Sequence, residues 1–314
     1  MPPMLEVQNL AKKYGTFAAV KGITFDIQEG EIFSLLGPNG AGKTTTISML
    51  STLYTPSGGD ARIAGQSVTR DPMQVRKLIG VVPQDLALYE DLSARENLAF
   101  WGQMYNLSGK TLKTRIDEVL EQIGLSDKAN LRIKTYSGGM KRRVNIGVGL
   151  LHKPRLLFMD EPTVGIDPQS RRAILDSVKA LNQQGMTVLY TTHYMEEAQE
   201  LSNRVGIIDH GELIALGTQA ELKSQVGKME TLILHIGEGE DGTALAAALR
   251  PLAGVLTADA SDHAVTVITP EAEDVLVPVI TRANEIGIKI RSVDMQEPNL
   301  EAVFLQLTGR ALRD

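Results

Sequence analysis

The sequence predicts an α/β fold in two parts. The first is a parallel-sheet core built on a phosphate-binding loop, with an antiparallel β-layer ahead of it and a helical insert within it. The second is a small α+β domain of ferredoxin-like order. Three observations carry this. Gly37-Pro38-Asn39-Gly40-Ala41-Gly42-Lys43-Thr44-Thr45 stands between a short apolar run and a helical stretch. Two later apolar runs end in chemistry-bearing residues, Asp160-Glu161 and His193. From about residue 229, strand-like and helix-like segments follow one another as β-α-β-β-α-β.

In chain order, Leu5-Glu6-Val7-Gln8-Asn9-Leu10 alternates apolar and polar, as a half-buried strand does. Lys12-Lys13-Tyr14-Gly15 reads as a turn, and Ala19 to Ile27 alternates again. Tyr14 is the one aromatic in that first loop. Its flat ring suits stacking on a nucleobase, while spacing alone favours plain packing.

Ile32-Phe33-Ser34-Leu35-Leu36 reads as a buried strand, and Thr46-Ile47-Ser48-Met49-Leu50 opens a helix. Strand, glycine loop, helix is the context a phosphate loop requires. Gly37, Gly40 and Gly42 let the backbone wrap a phosphate, with N–H groups of Asn39, Ala41 and their neighbours turned inward. The helix N-terminus adds partial positive charge. Lys43 then reaches the β- and γ-phosphates, the Thr44 hydroxyl ligates Mg²⁺, and Thr45 completes the cradle.

Pro56-Ser57-Gly58-Gly59-Asp60 is a turn. Val75 to Gln84 reads as an apolar strand ending in Pro83 and Gln84. Gln84 there suits holding Mg²⁺, orienting water, or an ordinary loop. From Ser93 the pattern turns helical, opening on the capping box Ser93-Ala94-Arg95-Glu96. Leu98, Trp101 and Tyr105 share one face, and Ile116, Val119, Leu120 and Ile123 another. This marks an insert over about 85–153. It closes with Tyr136-Ser137-Gly138-Gly139-Met140 ahead of a helix. Ser137, Gly138 and Gly139 form either a second anion-binding helix start or a simple cap. Lys141-Arg142-Arg143 reads as a solvated face.

Leu156-Leu157-Phe158-Met159 runs into Asp160 and Glu161, a buried strand with carboxylates at its C-terminal end. Ligands of open α/β sheets bind at that edge. Asp160 is placed to hold Mg²⁺ and Glu161 to polarise an attacking water. Thr187 to Thr192 is another buried strand, ending at His193, which suits a γ-phosphate contact. The other histidines show no metal-ligand spacing. Val205 to Asp209 and Gly211 to Ala215 pair across a turn.

Composition bounds the rest. The 314 residues are 43% hydrophobic and 22% charged, enough for a sizeable core. A net charge of -6 without a long basic run argues against nucleic acid as the main partner. There is no cysteine, so disulfides, thiol nucleophiles and zinc-thiolate sites are excluded. The start has no signal-peptide pattern. No apolar run approaches the roughly 20 residues a spanning helix needs, so no direct membrane insertion is expected.

Over about residues 5–222 the chain resembles the nucleotide-binding subunit of an ATP-binding cassette (ABC) transporter. The motifs stand in that family's order: an aromatic loop at Tyr14, Walker A at Gly37 to Thr45, a Q-loop at Gln84 and a signature at Tyr136 to Met140. Walker B follows at Leu156 to Asp160 with Glu161, then a D-loop at Gly165-Ile166-Asp167 and a switch histidine at His193. The signature departs from the usual Leu-Ser-Gly-Gly-Gln at Tyr136 and Met140. The resemblance implies a P-loop NTPase (ABC ATPase) fold, ATP and Mg²⁺ as ligands, and hydrolysis. It implies a homodimer that sandwiches ATP between the Walker A of one copy and the signature of the other. It also implies an integral membrane permease as partner, contacted near residues 85–91. The subunit would then sit on the cytoplasmic face of the cell membrane. The competing reading is a soluble cassette ATPase acting on the ribosome or DNA. Such proteins usually carry two cassettes or a long coiled-coil insert, and this chain shows neither.

Domains are expected at 1–228, the ATPase, and 229–314, an accessory α+β module. The tail, including Glu297-Pro298-Asn299-Leu300-Glu301-Ala302-Val303-Phe304, resembles those of drug-resistance exporters and not the β-rich tail of sugar importers.

Overall fold

The computed structural model describes residues 2–225, 230–237, 239–261, 263–296 and 300–308. The chain divides into two compact units, one up to Leu216 and one from Gly217.

The first unit runs β1 (Leu5–Tyr14), β2 (Phe17–Ile27), β3 (Ile32–Leu36), α1 (Lys43–Leu50), β4 (Gly58–Ile63), β5 (Gln66–Ser67), α2 (Pro72–Leu78) and β6 (Ile79–Val82). The insert contributes α3 (Ala94–Met104), α4 (Gly109–Gln122) and α5 (Gly138–Leu150). Then come β7 (Leu156–Asp160), α6 (Pro168–Gln183), β8 (Thr187–Thr192), α7 (Met195–Leu201), β9 (Arg204–Asp209) and β10 (Glu212–Gly217).

Two sheets result. An antiparallel layer has the order β2-β1-β4-β5, and the central sheet has the order β10-β9-β3-β8-β7-β6. The run β9-β3-β8-β7-β6 is parallel. Every residue of β3, β7 and β8 is buried. The cause is coverage on both faces, which is why these strands read as unbroken apolar runs. Phe33, Leu35, Phe158 and Leu189 pack toward the antiparallel layer and α1. Leu157, Met159, Val188 and Tyr190 pack toward α5, α6 and the insert.

Register places the functional strand ends together. Leu36 lies opposite Thr192, Asp160 opposite Thr191, and Val82 opposite Met159. The residues that follow β3, β6, β7 and β8 therefore emerge along one C-terminal edge.

Three local expectations change. β1 continues through Tyr14, and the reversal falls at Gly15, whose φ of 58° suits glycine. Val75 to Leu78 is helical, because Pro72 opens α2 at its first turn and only Val75 is buried on it. Arg142 is not solvated: it is 4% exposed and donates to the Pro83 carbonyl at 2.9 Å. The Ser93 capping box forms as read, with Glu96 N to Ser93 Oγ at 3.2 Å and Ser93 N to Glu96 Oε2 at 2.8 Å.

The second unit comprises α8 (Gln219–Gln225), β11 (Glu230–Ile236), α9 (Gly242–Leu249), β12 (Thr257–Ser261), β13 (Ala264–Thr269), α10 (Ala272–Glu285), β14 (Ile290–Gln296) and α11 (Leu300–Thr308). Its sheet has the order β12-β13-β11-β14 with antiparallel neighbours, the ferredoxin-like arrangement. Leu232, Leu234 and Val267 pack with Leu245, Val275 and Val279 of α9 and α10. The weak strand expected near Val255-Leu256 begins just later. Leu256 N already bonds the Ile268 carbonyl at 2.8 Å, and the ladder runs on to Ser261. Met229, at the expected domain boundary, and Glu297 to Asn299 of the ending lie outside the described residues. Among the described residues, no helix is long and apolar enough to cross a membrane.

Candidate functional site

The phosphate loop hangs between β3 and α1. Gly37 N donates to the Thr192 carbonyl at 3.2 Å, which ties the loop to the end of β8. A Cβ at Gly37 would collide with the Ile208 carbonyl. One at Gly42, where φ is 109°, would lie 2.7 Å from the Ala19 carbonyl. Only glycine fits either place, because the loop backbone packs this closely on the rest of the chain. Asn39, Gly40 and Thr44 are exposed, Thr45 is half-buried, and Ala41 is buried beneath them.

Lys43 is 3% exposed, and its ammonium has three acceptors. It donates to Gly37 O at 2.6 Å and Pro38 O at 2.9 Å, and meets Glu161 Oε1 at 2.9 Å. Glu161 follows β7 with a φ of +43°, a left-handed conformation unusual for a side-chain-bearing residue. Its N–H donates to Thr191 Oγ1 at 3.0 Å, which holds that turn. His193 Nδ1 lies 3.5 Å from the same Glu161 Oε1 and is buried without a hydrogen-bond partner among the described residues.

Asp160 is buried beside them. Burial pushes its carboxyl above the usual carboxylate range, opposed by hydrogen bonds from Thr191 and Thr44. Thr191 Oγ1 donates to Asp160 Oδ1 at 2.7 Å. Thr191 thus fixes both carboxylate residues, and no spacing rule singled it out. Gln84 is exposed, two residues past β6 on the same sheet edge.

The fold therefore gathers Lys43, Thr44, Asp160, Glu161 and His193 into one cluster. The other expected residues form separate groups. Tyr14 is 45% exposed and meets Tyr54 edge-on at 6.3 Å, with Lys12 Nζ 5.4 Å from both rings. Tyr54 was not foreseen, because it arrives from the turn after α1. Ser137 caps α5, accepting from Met140 N at 3.3 Å. Gly138 and Gly139 form the first turn, and Gly139 is packed directly on Ser170 of α6. The buried Tyr136 donates its hydroxyl to Lys128 O at 2.6 Å. This explains how a tyrosine occupies a leucine position: the ring fills the core and its OH is satisfied.

The residues fit a nucleoside triphosphate with a hard cation. Glycine backbone and lysine suit phosphates, the unpartnered His193 nitrogen faces the same cluster, and hydroxyl and carboxylate oxygens suit Mg²⁺. The fold and this cluster define an α/β phosphate-loop ATPase. Comparison with known proteins makes it specific. The ABC transporter family profile matches residues 20–164. The linearmycin resistance ATP-binding protein LnrL of Bacillus subtilis (strain 168) is 49% identical, covering 99% of this chain and 100% of LnrL. The daunorubicin/doxorubicin resistance ATP-binding protein DrrA of Streptomyces peucetius is 38% identical, over 99% and 94% of the two chains. Among solved structures, the ATP-binding cassette MJ0796, a dimer in a post-hydrolysis state with ADP and Pi, is 29% identical. It superposes with a TM-score of 0.62 over 68% of this chain and 98% of that one.

The chain belongs to the ABC transporter family, as an ATP-binding subunit of the drug-resistance exporter type. It is an ATP hydrolase that powers export. The reading as a ribosome- or DNA-directed ATPase is not favoured.

Proposed function

We propose that each residue of the cluster has a distinct part in ATP hydrolysis. Lys43 binds the β- and γ-phosphates and offsets the charge that builds on the γ-phosphate. The Glu161 carboxylate accepts a hydrogen bond from the attacking water and polarises it. His193 contacts the γ-phosphate from the sheet edge. The backbone from Gly37 to Thr45, with Asn39, Gly40, Ala41 and Gly42, wraps the phosphates, and the Tyr14 ring stacks on the base. Thr44, Asp160 and Gln84 hold Mg²⁺, which neutralises phosphate charge when bound.

Two copies close on two ATP molecules, with Ser137, Gly138 and Gly139 of each donating to the phosphate held by the other. The capped start of α5 supports this: Ser137 and Gly138 are exposed at a helix N-terminus, where an anion from outside the chain can reach them, while Gly139 packs beneath on Ser170. The C-terminal domain, from about residue 229 within the second unit, serves as an accessory module, and no catalytic role falls to its described residues. An integral membrane permease is the partner, and it holds the subunit on the cytoplasmic membrane face. Leu86 and Tyr89, both exposed, offer that permease an apolar contact in residues 85–91. No direct membrane insertion and no nucleic-acid partner is part of this reading.

The observation that carries it is the convergence of Lys43, Glu161 and His193 around one carboxylate oxygen. The test is ATP turnover in Ser137→Arg. Turnover should be lost while the single-copy ATP affinity persists. Turnover equal to that of the unaltered protein would contradict the sandwich.

A further inference from the structure

Glu197 has no part in the chemistry above, yet its carboxylate is 2% exposed. Burying a carboxylate is costly unless its oxygens are fully bonded. Here they are. Thr163 Oγ1 donates to Oε1 at 2.6 Å. The Tyr190 hydroxyl and Thr192 Oγ1 donate to Oε2 at 2.8 and 3.0 Å. Arg171 Nε lies 3.6 Å from Oε1.

The three hydroxyl donors and the Arg171 ion pair come from three segments that each bear on the site. Thr163 is two residues past Glu161. Thr192 ends β8 directly before His193. Arg171 stands at the start of α6, after the Gly165-Ile166-Asp167 turn. Thr192 Oγ1 also accepts from Tyr194 N at 2.9 Å, so one hydroxyl bridges the backbone on either side of His193. The His193 ring rests on the Tyr194 ring at 4.2 Å, and the Arg171 guanidinium covers that ring at 4.3 Å. A closed circuit results: His193, Tyr194, Arg171, Glu197, Thr192 and back to His193.

We infer that Glu197 is a positioning residue, which clamps the His193 turn to the segment that follows Glu161 and to the start of α6. A carboxylate suits this because it is acceptor-only and can take several O–H donors at once. Glutamine keeps the shape but replaces one acceptor with a donor, so it cannot satisfy all three hydroxyls as they stand. This inference rests on the assignment of His193 to the hydrolytic site.

The test is a double-mutant cycle in the 314-residue chain. ATP affinity, kcat and KM are measured for Glu197→Gln, for His193→Ala, and for both together. Glu197→Gln should leave ATP affinity within about twofold and lower kcat by about tenfold. In the His193→Ala background it should lower kcat no further, because residues acting through one another are non-additive. A merely structural carboxylate would instead lower the melting temperature with normal kcat per folded molecule, or add its full effect to His193→Ala; either overturns the inference. If Glu197→Gln fails to fold, Thr163→Val and Tyr190→Phe each remove one donor and must show the same non-additivity. If His193→Ala keeps full turnover, the site assignment falls and this inference with it. If His193→Ala is impaired and Glu197→Gln is normal, the inference alone falls.

Discussion

The ammonium of Lys43 and the carboxylate of Glu161 lie 2.9 Å apart, and both side chains are almost sealed from solvent. One comes from the start of α1 and the other from the end of β7, brought together because β3 and β7 both flank β8 in one parallel sheet. The same lysine that binds phosphate is thus held by the carboxylate that polarises water. Lys43→Ala should lower ATP turnover by about a hundredfold or more, since it removes the charge facing the γ-phosphate. Phosphate release at saturating ATP checks this.

Tyr14 presents an exposed ring braced edge-on by Tyr54. If that ring stacks on adenine, Tyr14→Ala should weaken ATP by about tenfold and Tyr14→Phe by less than about twofold, because stacking needs the ring and not the hydroxyl. Titration with inorganic tripolyphosphate separates the causes. Its affinity should be unchanged in both variants, because it has no base to lose.

The two glycines of the signature should respond differently. A Cβ at Gly138 meets only Ile166 Cδ1, at an ordinary 3.6 Å. A Cβ at Gly139 collides with the Ser170 side chain and must push α5 away from α6. Gly139→Ala should therefore cost about 1–3 kcal/mol of stability, the range for overpacking, and Gly138→Ala much less. Denaturant midpoints of the two variants check this.

The phosphate loop and the ends of β7 and β8 were legible because their signals are local. Gly37 and Gly42 are demanded by the backbone, and four apolar residues before Asp160 mark a strand covered on both faces. What was illegible depends on partners distant in sequence. Arg142 sits between two other basic residues and reads as surface, but its guanidinium is folded under Pro83. Glu197 looks like one more helix-surface glutamate in Met195 to Leu201 until Thr163, Tyr190 and Thr192 are brought around it. Tyr54 beside Tyr14 depends on where the chain returns after α1. Val75 to Leu78 misread as strand because a short apolar run has no period of its own, and Pro72 was the overlooked helix-start signal.

His152 offers a pH readout away from the nucleotide. Burial holds its pKa below the ordinary histidine value, opposed by a hydrogen bond with Ile79 O at 2.7 Å; Tyr105 stacks on the ring at 4.0 Å. A lowered pKa means the unfolded chain takes the proton first. The contribution is therefore whole above about pH 6.5 and is lost as pH falls below it, by at most about 1.4 kcal/mol per pH unit. Urea midpoints between pH 7.5 and 5.5, as about the range to scan, should fall more steeply in the unaltered protein than in His152→Gln. Parallel slopes would show that His152 does not carry this dependence.

The measurement closest to the central claim is light scattering of Glu161→Gln with Mg-ATP. Glutamine keeps the shape of Glu161 but loses the charge that polarises water, so ATP should bind and persist uncleaved. The retained γ-phosphate then joins the loop of one copy to Ser137-Gly138-Gly139 of the other, a state selected by ligand. The predicted result is a dimer with ATP, a monomer with ADP, and a monomer with ATP once Ser137→Arg is added. A Glu161→Gln protein that stays monomeric under saturating ATP would contradict the account.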